Sequence, residues 1–301
     1  MSRLVYFFIF VCCSSYAQDK MFISGCGWEQ VVLIDKATKQ IEWNYDLQKG
    51  DDCENITLTN SGDLLISYKK GAKVINSKKE IIWDYKLQGK GELYAATQMK
   101  KGGFLLAYSG SPAQIAELDK KGNVVKTLSF DTGVESLHGQ MRQLIKAGNG
   151  NYLFPIMGKG EVVELDANGK EVLRFKVEGN PFSVVELKNG NLLISCGDAH
   201  SALEVERHTG KLIRKIEQKD IEGINLNFVA QIVELNNGNR LICNWNGHAK
   251  GQDAGQPALI EINPQNQLVW QLQEGNGIGR ISCVFPVENK NLKKLSKYKN
   301  E

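Results

Sequence analysis

The residues able to do chemistry in this 301-residue chain are few, and four histidines head them. His138 stands four residues before Arg142, a spacing that would let the imidazole act as nucleophile or general base while the guanidinium steadies an anion. Asp198 and His200, two apart, could offer two metal ligands on one strand face, but with no third donor placed beside them no metal is expected. Trp245 and His248 share the longest connection with Asp253, where an indole could stack on a sugar or a peptide. His208 falls in a tight turn and is expected in solvent. No Ser/His/Asp order, phosphate-cradling glycine loop or paired-carboxylate signature accompanies them.

Cysteine usage depends on the first segment. Residues 1–17, MSRLVYFFIFVCCSSYA, run from Arg3 through an apolar stretch to Ser15-Tyr16-Ala17, the small-x-small pattern of an export signal cut after Ala17. About 10 apolar residues are too few for a hydrocarbon core that needs roughly 20. Acylation at Cys12 or Cys13 is the alternative, although Phe10 and Val11 before them are larger than such a site wants. The mature chain is therefore expected in the periplasm, at the cell surface or outside the cell, with Cys26, Cys53, Cys196, Cys243 and Cys283 and no CxxC pair for zinc. Export permits one or two disulfides. With 37 Lys+Arg against 34 Asp+Glu the balance argues against a nucleic-acid partner.

The elements that must hold these residues follow from an internal repeat. A Gly-bearing turn recurs between apolar runs at Gly62, Gly102, Gly150, Gly190 and Gly238, roughly 40 to 48 residues apart, the length of a four-stranded propeller blade. Asn-Gly at these turns reads as type I′, with positive φ at both central residues. A second set of turns, beginning at Asp35, Asn76, Asp119, Asp166, Arg207 and Asn263, precedes outer strands in which Trp43, Trp83 and Trp270 hold matching places. Outer turns outnumber inner ones by one, and the unit lacking an inner hairpin is the first.

The run 280–287, RISCVFPV, aligns with inner strands elsewhere and supplies the missing one. The expectation is an all-β, six-bladed β-propeller over 18–288 with four-stranded antiparallel blades, its ring closed by the C-terminal strand completing the first blade, so that no strand edge is left open there. In this register Cys283 would stand opposite Gly25, close enough to Cys26 for a ring-closing disulfide to be conceivable. Cys243 takes a small core position. Residues 289–301, NKNLKKLSKYKNE, read as a solvated basic tail.

The outer-hairpin pattern Asp35-x-x-Thr38-x-x-x-x-Trp43, with Arg207-His-Thr-Gly-Lys211, resembles the repeats of quinoprotein-like (PQQ-like) and surface-layer β-propellers. That resemblance implies fold rather than activity. Quinone-dependent members have eight blades and an adjacent cysteine pair at the quinone, whereas the adjacent pair here, Cys12-Cys13, lies in the signal, so no cofactor is expected. The turns Leu187-Lys-Asn-Gly-Asn191 and Leu235-Asn-Asn-Gly-Asn239 also look like those of bacterial arylsulfotransferases, six-bladed propellers with a channel histidine. At the matching places stand Phe182 and Ala230, leaving His138 as the nearest counterpart.

Propeller ligands gather where loops entering the inner strands meet loops joining the second and third strands. This selects Glu54, Asn55, Tyr94, Gln143, Phe182, Asn227, Gln231, Trp245, His248 and Arg280 as ligand-binding candidates, with His138 and Arg142 as the catalytic pair if there is one. The matched ring Asn55, Ala95, Gln143, Ser183, Gln231 and Cys283 would suit a wet channel wall. The leading expectation is an exported, non-catalytic propeller, possible cell-surface associate, binding a carbohydrate, peptide or partner protein. The rival is a channel-centred enzyme of sulfotransferase-like or lyase-like type, and the third reading is a structural surface module.

Overall fold

The middle strands of each repeat are apolar at almost every position, and such strands are stable only when both faces are covered. A computed structural model describes residues 20–249, 255–287, 291 and 294–300. Its six four-stranded antiparallel sheets supply that cover by packing blade against blade. The strands Leu64–Tyr68 and Gly71–Ile75 are buried throughout, whereas the outer strand Ile81–Lys86 alternates toward solvent. Five blades occupy 53–86, 92–130, 145–176, 184–217 and 228–272, and the first joins 20–46 to the far end of the chain. The expected export signal, with Cys12 and Cys13, lies outside the described residues, as does Asp253. Among the described residues no helix is long and apolar enough to cross a membrane.

The strand Cys283–Pro286 pairs with Lys20–Gly25 and completes the first blade as expected. Its register differs by one residue, because Cys283 faces Ser24 rather than Gly25. Gly25 is needed for steric reasons alone: a Cβ there would lie 2.3 Å from the Arg280 carbonyl oxygen and 2.5 Å from the Ser282 nitrogen. None of the five described cysteines is in a disulfide, and the sulfur of Cys283 faces Cys53.

The inner turns are not type I′. In the turn after Leu187 only Gly190 has positive φ, +87°, and its amide donates to the Leu187 carbonyl at 2.9 Å. This is a type I turn followed by a left-handed glycine, the three-residue hairpin solution. The asparagines beside the glycine have a further use. Asn149 and Asn151 donate to Glu164 at 2.9 and 2.7 Å, and Asn189 and Asn191 donate to Glu204 at 3.1 and 3.0 Å. Each glutamate then accepts an arginine of the next blade, Arg207 to Glu164 at 2.9 Å and Arg240 to Glu204 at 2.8 Å. Lys36 meets Glu261 in the same way across the closing seam. Buried carboxylates are tolerated here because their lone pairs are filled.

Leu33 takes this acidic position in the first blade, and an apolar surface results. The tail covers it. Tyr298 is 1% exposed, its ring centroid 5.2 Å from that of Phe22 and 5.0 Å from that of Trp43, both edge-on. Its hydroxyl donates to the Gly62 carbonyl at 3.0 Å, and Lys297 pairs with Asp63 at 2.8 Å. The expected solvated tail is thus, over 294–300, a docked segment: its lysines reach outward while Leu295 and Tyr298 enter the core.

Candidate functional site

Connections between blades carry the residues singled out for chemistry. His138 sits in the 3-10 turn Leu137–Gly139 between the third and fourth blades, and Arg142 follows it. Phe182 and Asn180 come from the next connection, Asp198 from the hairpin after Leu192–Ser195, and Trp245 and His248 from the end of the strand Arg240–Trp245 and its 3-10 turn Asn246–His248. They converge on one cavity of about 280 Å³, together with Cys26, Met157, Phe228 and Ser282.

One wall is aromatic. Phe182, Phe228, Trp245 and His248 form a chain of edge-to-face contacts, with centroids 5.8 Å apart for Phe182–Phe228, 5.9 Å for Phe228–Trp245 and 4.9 Å for Trp245–His248. Such geometry sets the positive edge of one ring against the negative face of another. The Trp245 indole is aimed by its N–H, which donates to the Cys26 carbonyl at 3.0 Å and so ties the sixth blade to the first.

The other wall is cationic. Arg142, 3% exposed, places its guanidinium carbon 4.2 Å from the Tyr94 ring centroid and 5.2 Å from that of Phe182. Two ring faces stabilise a buried cation and hold it flat. Arg142 also donates to Nδ1 of His138 at 3.2 Å. Guanidinium has no acceptor, so Nδ1 must accept and the neutral ring carries its proton on Nε2. Desolvation first, then the Arg142 charge, push the His138 pKa from 6.5 down to about 4. At neutral pH this imidazole is therefore an uncharged hydrogen-bond donor, and its Nδ1 is occupied.

A second pair stands at the rim, where Nδ1 of the exposed His248 lies 2.9 Å from the Asp198 carboxylate. The carboxylate orients the ring and leaves Nε2 to the cavity side chains or solvent. Asp198 and His200 do not form the ligand pair their spacing suggested. His200 holds φ of +55° and gives Nδ1 to the Asn227 carbonyl instead.

Of the candidates whose side chains are described, His138, Arg142, Phe182, Trp245 and His248 line the cavity and the others do not. Tyr94 backs Arg142 from behind. Gln231 accepts the Val284 amide at 2.7 Å and so serves the backbone of the closing strand, whereas Asn227 donates its backbone N–H to Asn244 and its side-chain amide to Asn246. Gln143 is 6% exposed, Ser183, with 0%, bonds Ser195, and Cys283 is sealed, which replaces the expected wet wall with packed core. Asn55 accepts the Cys53 thiol through its carbonyl, Arg280 is exposed beside Gly27, and the Glu54 side chain lies outside the described residues. Sequence reasoning missed Met157 and Ser282. Met157 opens a 3-10 turn that breaks the repeat after Tyr152–Ile156, and that irregularity was its one signal.

A family model described as Mal s 1 allergenic protein-like matches residues 17–268. A solved protein of unknown function from Bacteroides caccae is 37% identical, with a TM-score of 0.84 over 90% of this chain and 99% of its own. A streptogramin B lyase is 11% identical with a TM-score of 0.59, covering 88% of this chain and 86% of its own. A catalytically inactive virginiamycin B lyase from Staphylococcus aureus, solved with quinupristin, is 13% identical with a TM-score of 0.57, covering 86% and 87%. At those identities the two lyases share the fold alone. No curated protein matches the chain.

Proposed function

The chain belongs to the Mal s 1 allergenic protein-like family, and we propose that it is an exported, non-catalytic propeller whose cavity binds one ring or apolar side chain of a carbohydrate or peptide ligand. The aromatic wall carries this reading. Four rings in a chain of edge contacts and a buried arginine packed on the first of them line a cavity of about 280 Å³, slightly below the roughly 300–1,000 Å³ of drug-sized sites. A sugar ring or a single side chain fits, and the rest of the ligand would run over the loop face. Export to the periplasm or cell surface rests on the 1–17 pattern. The outer-hairpin likeness to quinoprotein-like and surface-layer repeats bears on the scaffold, and no quinone is assigned to it.

Trp245 is the test position. Glycan and peptide arrays probed with the wild-type protein and with Trp245→Ala should yield hits that the variant loses; equal binding of both to every hit would sink the reading.

A lyase-like reaction is the second reading, favoured by one observation: the Asp198–His248 pair lines the same cavity as His138, whose Nδ1 is taken by Arg142. In it, His248 would take a proton while His138 and Arg142 stabilise the developing anion. Quinupristin incubated with the protein and followed by mass spectrometry separates the two. Elimination within a ring expels a leaving group that stays tethered and gives an isomer of the same mass, so retention time and fragmentation are the readout: an unchanged pattern supports binding alone, and a new isomer lost in His138→Ala and His248→Ala would establish the enzyme.

A further inference from the structure

The ring is closed by pairing strands, and the closing strand carries a thiol against a thiol. Sγ of Cys283 lies 4.0 Å from Sγ of Cys53 and 3.9 Å from the Cys53 carbonyl oxygen, while Cys53 opens the inner strand of the second blade. Both residues are fully buried, and the two positions are 230 residues apart in sequence. We propose that Cys53 and Cys283 are an oxidative cross-link site that locks the closing strand to the neighbouring blade. A bond of about 2.05 Å requires the sulfurs to approach by about 2 Å from their 4.0 Å separation.

The other cysteines are placed differently. Burial pushes the Cys196 thiol up to about 12 and raises that of Cys243 as well, which keeps both protonated and slow to exchange. Cys26 faces the ligand cavity. With Cys53 and Cys283 in mutual contact, the pair is the one that proximity selects.

The oxidant is a small disulfide such as oxidised glutathione, or a protein disulfide of the same class. The Cys53 sulfur attacks it, forming a mixed disulfide and releasing one glutathione thiol. The Cys283 sulfur then displaces the second, so that two protein thiols become one disulfide and one glutathione disulfide becomes two thiols. Because both sulfurs are sealed in the folded ring, exchange belongs to folding, while the last strand is docking and the pair is already close but still open to solvent. The product closes a loop that spans most of the chain, the case in which cross-linking restricts the unfolded ensemble most. It also ties the closing strand to the second blade, so that the pairing of Cys283–Pro286 with Lys20–Gly25, where the ring would open, is held in place.

The test is oxidative refolding of the full chain in a glutathione redox buffer, followed by alkylation under denaturing conditions and peptide mapping. A Cys53–Cys283 peptide pair, two hydrogens lighter than its reduced parts, is expected, with Cys26, Cys196 and Cys243 alkylated. The oxidised protein should melt several degrees above the reduced one, a gain that Cys26→Ser retains and that Cys53→Ser and Cys283→Ser both lose. Mapping of the wild-type protein needs no variant to fold: both thiols found alkylated after refolding, or Cys283 found joined to Cys26, would overturn the proposal.

Discussion

Arg142 donates to Nδ1 of His138 at 3.2 Å while lying flat between Tyr94 and Phe182. A cation that touches a titratable ring makes the ring's second charge costly, so the imidazole stays neutral and its tautomer is set.

The titration of His138 follows from desolvation first and from that contact second. Its folded pKa of about 4 lies below the ordinary 6.5. As pH falls the unfolded chain takes the proton first, so the contribution to stability is complete above pH 6.5 and is lost on the way down to about 4. The ring keeps an exposed edge, so the loss is expected to be modest. In NMR the His138 ring should titrate near 4 in the wild type and move up toward 6.5 in Arg142→Met; an unchanged midpoint would show that Arg142 does not act on it.

The C-terminal segment is expected to stabilise the ring. Tyr298→Ala removes a buried aromatic side chain among Phe22, Trp43 and Leu295, at a cost of about 3 kcal/mol. Tyr298→Phe gives up only the bond to the Gly62 carbonyl, a cost of about 1 kcal/mol. Urea unfolding measures both. A tail that merely rests in solvent would leave both midpoints where they are.

Arg207 joins Glu164 of one blade to Glu186 of another, at 2.9 and 2.8 Å. Burial alone would push the Glu164 carboxyl up; hydrogen bonds from Asn149, Asn151 and Arg207 together hold it below the usual carboxylate range. Its stabilising contribution is therefore present above the unfolded value of 4.5 and lost as pH falls below it. Arg207→Met leaves that charge partly unmatched and should cost about 3 kcal/mol at neutral pH, with a smaller deficit in acid, where Glu164 is protonated. A deficit independent of pH would assign Arg207 a packing role only.

The blades and their number were legible because the hairpins carry local chemistry: a glycine for the left-handed turn position, apolar runs on either side and, in three of the six blades, a tryptophan in the outer strand. The closing strand was legible by alignment with its fellows, though a one-residue slip moved Cys283 from Gly25 to Ser24. The tail was misread because its lysines dominate its composition, while the two residues that bury, Leu295 and Tyr298, find their seat against Phe22, Leu33 and Trp43 of the first blade, which no local pattern in the tail announces.

The site divides along the same line. From sequence, the loop face and the residues His138, Arg142, Phe182, Trp245 and His248 could be named, because propeller connections present side chains where the repeat leaves off. Which of the polar candidates face the cavity was decided by the tertiary structure alone. Gln231 and Asn227 lie in equally suitable loops, yet each satisfies a backbone or amide group of an adjoining segment. The Cys53–Cys283 contact likewise joins positions 230 residues apart. Periodicity is a local property of the chain and survives in the sequence; contacts across the seam of a closed ring depend on six accumulated blade rotations, and no stretch of residues encodes them by itself.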